Sequence, residues 1–246
     1  MGCAIVVTSG KGGTGKTSLT GGLASCLAAM GHRVLCIDMD IGLRNLDLSL
    51  GMSDRAFMDF TDVLAGRCSL ERAALPHPVI SGLHLLTAPV SPPSRPLEEA
   101  AMRDLVRQAK RDFDYVLMDS PAGLGEGFHL AVCAADRAVV VSTTDASALR
   151  DAQRTVGELS RILPRIHLVV NRVQPKLLRR LHTTIDDAMD AAGLPLLGVV
   201  PEDQQVTLAA NQGQPLILVA SKGAAVAYLN IARRLDGMKI PLMKIR

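Results

Sequence analysis

The sequence predicts an α/β fold, with a mostly parallel central sheet and helices on both faces. Three observations predict it. Short apolar segments alternate with amphipathic ones nearly from end to end of the 246 residues, the pattern of strands joined by crossover helices. Several apolar segments are hydrophobic at almost every position, as strands covered on both faces must be. No internal repeat breaks the alternation, and Ser91-Pro92-Pro93-Ser94-Arg95-Pro96 is a loop too short to separate domains. The chain therefore reads as one domain, 1–246, with a short C-terminal tail over 237–246.

In order, Ala4–Thr8 is the first strand, and Ser18–Met30 the first helix, with Leu19, Leu23, Leu27 and Met30 on one face at helical spacing. Val34–Asp38 and Leu83–Thr87 are strands, followed by an amphipathic helix over Leu97–Arg111. Tyr115–Asp119 and Ala138–Ser142 are apolar strands that lead to a helix over Ser147–Leu163. Strands at Ile166–Asn171 and Leu196–Val200 flank a helix at Thr184–Ala192, and Ala224–Leu235 is the last helix. Hydrophobic residues at 48% and charged residues at 21% supply both a core and a soluble surface.

Composition narrows the function. A net charge of +3 and 2% aromatic residues offer neither the field nor the stacking platforms of a nucleic-acid binder, so no specific nucleic acid is expected. Cys3, Cys26, Cys36, Cys68 and Cys133 form no C-x-x-C pair, which points to reduced thiols and not to disulfides or a metal site. No window approaches the roughly 18 apolar residues of a membrane span. The start, MGCAIVVTSG, lacks the basic region and cleavage site of a signal peptide. Val6 stands where a myristoylation motif after Gly2 wants Ser or Thr. A cytoplasmic protein is expected.

The chemistry is concentrated after the first strand. Gly10-Lys11-Gly12-Gly13-Thr14-Gly15-Lys16-Thr17 satisfies G-x-x-x-x-G-K-[ST] between a strand and a helix. Its glycines let backbone N–H groups turn inward onto phosphate oxygens, and the helix N-terminus adds partial positive charge. Gly10 through Ser18 are thus the phosphate-binding set, with Lys16 reaching the β- and γ-phosphates and Thr17 on Mg²⁺. A P-loop also needs carboxylates. Asp38 and Asp40 sit at the C-terminal end of one strand, where open α/β sheets bind ligands. Asp119 closes another apolar run in the Walker B manner. Asp119 is expected to hold Mg²⁺ through water, Asp38 to support the metal shell, and Asp40 to orient the attacking water.

Lys11, a second lysine early in the loop, marks the deviant Walker A class. With it, Asp38-Met39-Asp40-Ile41-Gly42-Leu43-Arg44-Asn45-Leu46-Asp47 resembles the switch I segment of the ParA–MinD family, and Asp119-Ser120-Pro121-Ala122-Gly123 its switch II. Asn171-Arg172 and Gly198-Val199-Val200-Pro201-Glu202-Asp203 are similar to the adenine-recognising segments of its MinD members. Ser147-Ala148-Leu149-Arg150-Asp151 and Asn211-Gln212-Gly213-Gln214-Pro215 extend the match over about residues 3–243. The resemblance implies a P-loop NTPase of the SIMIBI type that binds ATP and Mg²⁺, with Asn171, Arg172, Pro201, Glu202 and Asp203 at the adenine. It implies a homodimer formed on ATP, with Lys11 catalytic across the interface beside Lys16 and Asp40. It also implies recruitment of a MinC-like inhibitor of division-ring assembly, an activating or topological partner, and peripheral contact with the inner face of the cell membrane.

The sequence also departs from that pattern. Relatives continue into a basic amphipathic helix, whereas here Met238-Lys239-Ile240-Pro241-Leu242-Met243-Lys244-Ile245-Arg246 carries Pro241 mid-segment, which a helix interior tolerates at a cost of about 3 kcal/mol. The usual anchor is expected to be missing. Gly125 replaces a common Glu, and Thr144-Asp145 a common Pro-Glu. The competing readings are a ParA-type partitioning ATPase using Arg172, Lys176, Arg179, Arg180 and His182, a flagellar-number ATPase, and a nucleotide-gated scaffold with little turnover. Iron–sulfur relatives need paired cysteines where Cys133 stands alone.

Overall fold

Apolar strands with glycine-rich or acidic ends build a sheet whose C-terminal edge carries the polar residues. In the computed structural model, which describes residues 1–53 and 57–243, β1 (Cys3–Thr8) leads into α1 (Lys16–Ala29) and β2 (Val34–Asp38). The short helices α2 (Leu46–Leu50), α3 (Phe60–Leu64) and α4 (Leu70–Ala73) precede β3 (Leu75–Pro76) and β4 (Leu83–Leu86). Then come α5 (Glu99–Asp112), β5 (Tyr115–Asp119), α6 (Glu126–Val132), β6 (Arg137–Ser142), α7 (Ala146–Leu159) and β7 (Ile166–Val173). The chain ends with α8 (Pro175–Leu181), α9 (Ile185–Ala192), β8 (Leu196–Pro201), α10 (Gln204–Asn211), α11 (Leu216–Val219) and α12 (Ala224–Leu235).

Among the described residues the strand order is β3-β4-β2-β5-β1-β6-β7-β8. Every pairing is parallel except the antiparallel edge contact of β3 with β4. Strand periodicity divides the interior between the two faces. In β1, Ala4 and Val6 point into one core, while Ile5 and Val7 point into the other. The first core is closed by apolar residues of α5, α7 and α9, the second by those of α1 and α12. Leu19, Leu23 and Leu27 of α1 are fully buried, each contributing roughly 2 kcal/mol by burial. Helix α12 can lie this close to α1 because Gly22 has no side chain, since a Cβ there would fall 2.2 Å from Cδ2 of Tyr228.

Register sets up the site. Val7 of β1 and Asp38 of β2 are both aligned with Asp119 of β5, so the glycine-rich loop and two carboxylates meet at one edge. No helix forms over 238–243. Instead the Arg234 guanidinium donates to the carbonyls of Leu197, Ile240 and Pro241 and fastens that stretch to the start of β8. Lys244, Ile245 and Arg246 of the tail lie outside the described residues. No described helix is long and apolar enough to cross a membrane.

Candidate functional site

The loop between β1 and α1 turns on glycine. Gly13 and Gly15 have φ of 79° and 84°, values that L side chains rarely adopt. A Cβ on Gly15 would also lie 2.4 Å from Nδ2 of Asn171. Around Gly12 and Gly13 nothing occupies the space that a Cβ would fill, so the loop backbone is open on that side. Gly10 packs against the Asp151 backbone of α7.

Inside the loop the polar groups converge on Asp119, which is completely buried. Lys16 Nζ donates to its Oδ1 at 2.9 Å and Thr17 Oγ1 to its Oδ2 at 2.7 Å. Thr20, one turn beyond Lys16, adds a third donor at 3.1 Å. Asp38 lies alongside and accepts the backbone N–H groups of Asp40 and Leu46 at 2.9 and 3.1 Å. Burial, followed by the nearby charge of Asp119, pushes the Asp38 carboxyl up to about 7, against the pull of those two hydrogen bonds. Asp40 is half-buried, and its carboxyl is raised chiefly by burial, with Lys16 opposing and Asp119 adding to the effect. Its side chain makes no hydrogen bond among the described residues. It therefore faces the Lys16–Asp119 pair with its oxygens uncommitted.

Two cavities of about 190 Å³ each flank this centre. One is bounded by Lys11, Gly12, Gly13 and Thr14 of the loop, by Thr143, Thr144 and Asp145 ahead of α7, and by Gln174 and Leu177 at α8. Lys11 is exposed there and donates to Ser147 Oγ at 2.9 Å. The other cavity lies between Gly15 and Ser18 of the loop and Asn171, Pro201, Glu202, Asp203 and Tyr228. Arg172 borders both, held at φ 56°; it pairs with Glu202 at 2.8 Å and donates to the Gly13 carbonyl at 3.1 Å. Asn171 donates to the Thr14 carbonyl at 2.8 Å. Asp203 has both oxygens engaged by backbone N–H groups, those of Gln205 and Ala224, and so ties the starts of α10 and α12 together.

The residues expected from sequence thus assemble as two groups joined by the loop. Lys16, Thr17, Asp38, Asp40 and Asp119 gather at the centre, and Ser18, Asn171, Arg172, Pro201, Glu202 and Asp203 line one flank. Lys11 stands on the other flank. Thr20 was not expected, although its spacing of one helical turn from Lys16 is a usable signal. The pairing of Lys11 with Ser147 and the presence of Tyr228 in the flanking cavity have no local signal, because they join segments far apart in the chain.

The donor set fits a nucleotide with a divalent ion. Thr14 Oγ1 is buried without a partner at the loop, and the loop backbone is uncovered at Gly12 and Gly13. Among the described residues no cluster of three or more His, Cys, Asp or Glu side chains surrounds a metal position. A hydroxyl and carboxylates beside a phosphate cradle suit Mg²⁺, which takes part of its shell from phosphates and water.

Residues 5–216 match the CobQ/CobB/MinD/ParA nucleotide binding domain. The chain is 40% identical over 242 residues to the septum site-determining protein MinD of Synechocystis sp., covering 97% of this chain and 91% of that protein. It superposes on the MinD chain of the MinC:MinD cell division protein complex of Aquifex aeolicus with a TM-score of 0.91, 37% identity and 98% coverage of both chains. The septum site-determining protein MinD of Pyrococcus horikoshii, complexed with Mg-ADP, gives a TM-score of 0.84 at 29% identity, covering 96% of each chain. By sequence, fold and loop geometry together, the chain belongs to the CobQ/CobB/MinD/ParA nucleotide-binding family, on its MinD side.

Proposed function

We infer that this chain is a MinD-like ATPase, a single P-loop domain that dimerises on ATP, hydrolyses it to ADP, and helps place the division septum by recruiting a MinC-like inhibitor. The observation that carries the reading is the latch of Lys16 and Thr17 on the buried Asp119. In that latch the lysine charge and the carboxylate charge neutralise one another in a site too dry to leave either alone. ATP with Mg²⁺ offers each a substitute. Lys16 would then be released to phosphate oxygens, while Thr17 and Asp119, supported by Asp38, would hold the metal. Mg²⁺ there would supply neutralising charge for the phosphates. Asp40, with its oxygens uncommitted, orients water for attack. Lys11 leaves Ser147 and extends to the phosphates of a second subunit, adding charge as an arginine finger does. The base lies against Asn171, Arg172, Pro201 and Glu202.

Sedimentation with anionic liposomes tests the cellular half of the reading, using ATP or ADP with Mg²⁺ and a MinC-type inhibitor, with oligomeric state measured in the same sample. ATP-dependent dimerisation with capture of the inhibitor is the expected result. A protein that stays monomeric in ATP, or captures the inhibitor equally in ADP, would sink it. Pelleting of the ATP form alone would assign membrane contact to the chain itself. A dimer that captures the inhibitor without pelleting would require membrane contact from a partner.

The partitioning alternative rests on α8, where Lys176, Arg179 and Arg180 lack ion pairs among the described residues and no side chain is buried. DNA binding by the ATP form that weakens steeply with salt would favour it.

A further inference from the structure

The base-side cavity holds a nearly buried tyrosine hydroxyl for which the protein has no use. Tyr228 is 2% exposed. Its ring lies on the bare Cα of Gly22, and it borders the cavity with Gly15, Asn171, Asp203 and Val206. Its hydroxyl makes no hydrogen bond among the described residues. Nor is that oxygen sealed in. The buried polar atoms left without partners are Thr8 Oγ1, Thr14 Oγ1 and Arg44 Nε, so the Tyr228 hydroxyl opens to the cavity. Of the other polar side chains there, Asp203 is occupied with two helix starts, Glu202 with Arg172 and the Asn171 amide with Thr14, while the Ser18 and Thr207 hydroxyls sit at the rim, on residues less buried than Tyr228. Such a hydroxyl can donate and accept at once, and it is free to do both toward a ligand in the cavity.

We propose that Tyr228 reads the purine base, its ring forming the floor of the cavity and its hydroxyl hydrogen-bonding the base edge. The proposal rests on the nucleotide-binding reading above and adds to it a residue of α12. Burial, with the nearby Asp203 charge, keeps the phenol above its usual range and therefore neutral, as a group that both donates and accepts must be.

The test compares wild-type protein with Tyr228→Phe for affinity to ATP, 2′-deoxyATP and ribose 5-triphosphate, which lacks a base. The variant should bind ATP and 2′-deoxyATP about three- to tenfold more weakly, the worth of one hydrogen bond. It should bind ribose 5-triphosphate as the wild type does. Because the hydroxyl has no protein partner, the nucleotide-free variant should melt at the wild-type temperature. An equal penalty on ribose 5-triphosphate, no penalty on ATP, or a lower melting temperature without nucleotide would each overturn the proposal. Wild-type protein that binds no ATP is a different failure, that of the ATPase reading itself.

Discussion

Lys11 and Lys16 share one loop and live in opposite surroundings. Lys16 is nearly buried and forms an ion pair at 2.9 Å with Asp119, which water does not reach. Lys11 is exposed and rests on a serine hydroxyl of α7. The inner lysine completes an electrostatic balance within the chain, so it contributes to the folded state before any ligand arrives. The outer one contributes almost nothing there, since an exposed hydrogen bond competes with water. The contrast separates two jobs that the loop motif presents as one. The inner half is part of the core; on the function proposed above it also binds phosphate, and the exposed outer half is the one left to reach a second subunit.

Removing each lysine should therefore have very different consequences. Lys16→Ala leaves two buried carboxylates, Asp38 and Asp119, facing each other without a cation. Breaking a buried pair in this way typically costs about 3–5 kcal/mol. A large drop in the denaturation midpoint is expected, together with loss of measurable ATP binding. Lys11→Ala should leave the melting temperature and monomer affinity for ATP unchanged, while hydrolysis by the dimer falls roughly 100-fold, in the range of a lost transition-state donor. Equal destabilisation by the two substitutions would erase the distinction. Asp40→Ala lies between them. Its carboxylate has no hydrogen bond to lose, so ATP should still bind and the dimer should accumulate. Size-exclusion chromatography in ATP and Mg²⁺ that shows only monomer would contradict that role.

The same contrast explains what could be read from sequence. Val34–Asp38, Tyr115–Asp119 and Ala224–Leu235 form as expected because each carries its own pattern, an apolar run or a helical stripe long enough to be unambiguous. The inner cradle was legible for a related reason, since Lys16, Thr17 and the strand-end aspartates stand at motif spacings. Helices α2, α3, α4, α6, α8 and α11 are too short to display a period, α10 is as long as the expected α9 but has a weaker apolar stripe, and β3 is a two-residue edge contact. Helix α7 stops at Leu159, short of the expected Leu163; Pro164 disfavours helical geometry at Leu163 itself, and the residues between form a closing turn. The outer contacts were invisible for a different cause. Lys11 with Ser147, Asn171 with Thr14 and Tyr228 with Gly22 are joined by the order of strands in the sheet, and no local spacing encodes that order.

The inner centre makes one further, smaller prediction, about pH in nucleotide-free protein with EDTA present. The folded state raises the Asp38 carboxyl to about 7, above the ordinary 3.8 that it regains on unfolding. A folded chain that holds a proton more tightly than the unfolded one is favoured while both are protonated. That advantage is full below about pH 4 and is lost as pH rises through 7. Stability from this group should thus fall between pH 4 and 8, by about 4 kcal/mol. Asp38→Asn removes the ionisation, and its amide NH₂, a donor, must face one of the two N–H groups of Asp40 and Leu46, where even a protonated carboxyl presents a second oxygen. The variant should be less stable than wild type at pH 5 by about 1 kcal/mol, and equal or better at pH 8. Denaturation curves that run parallel for the two proteins across that range would show that the charge of Asp38 is balanced by something other than its own proton. Lys16 would then be serving both carboxylates, and the inner cradle would be a three-member network in place of a pair with a protonated neighbour.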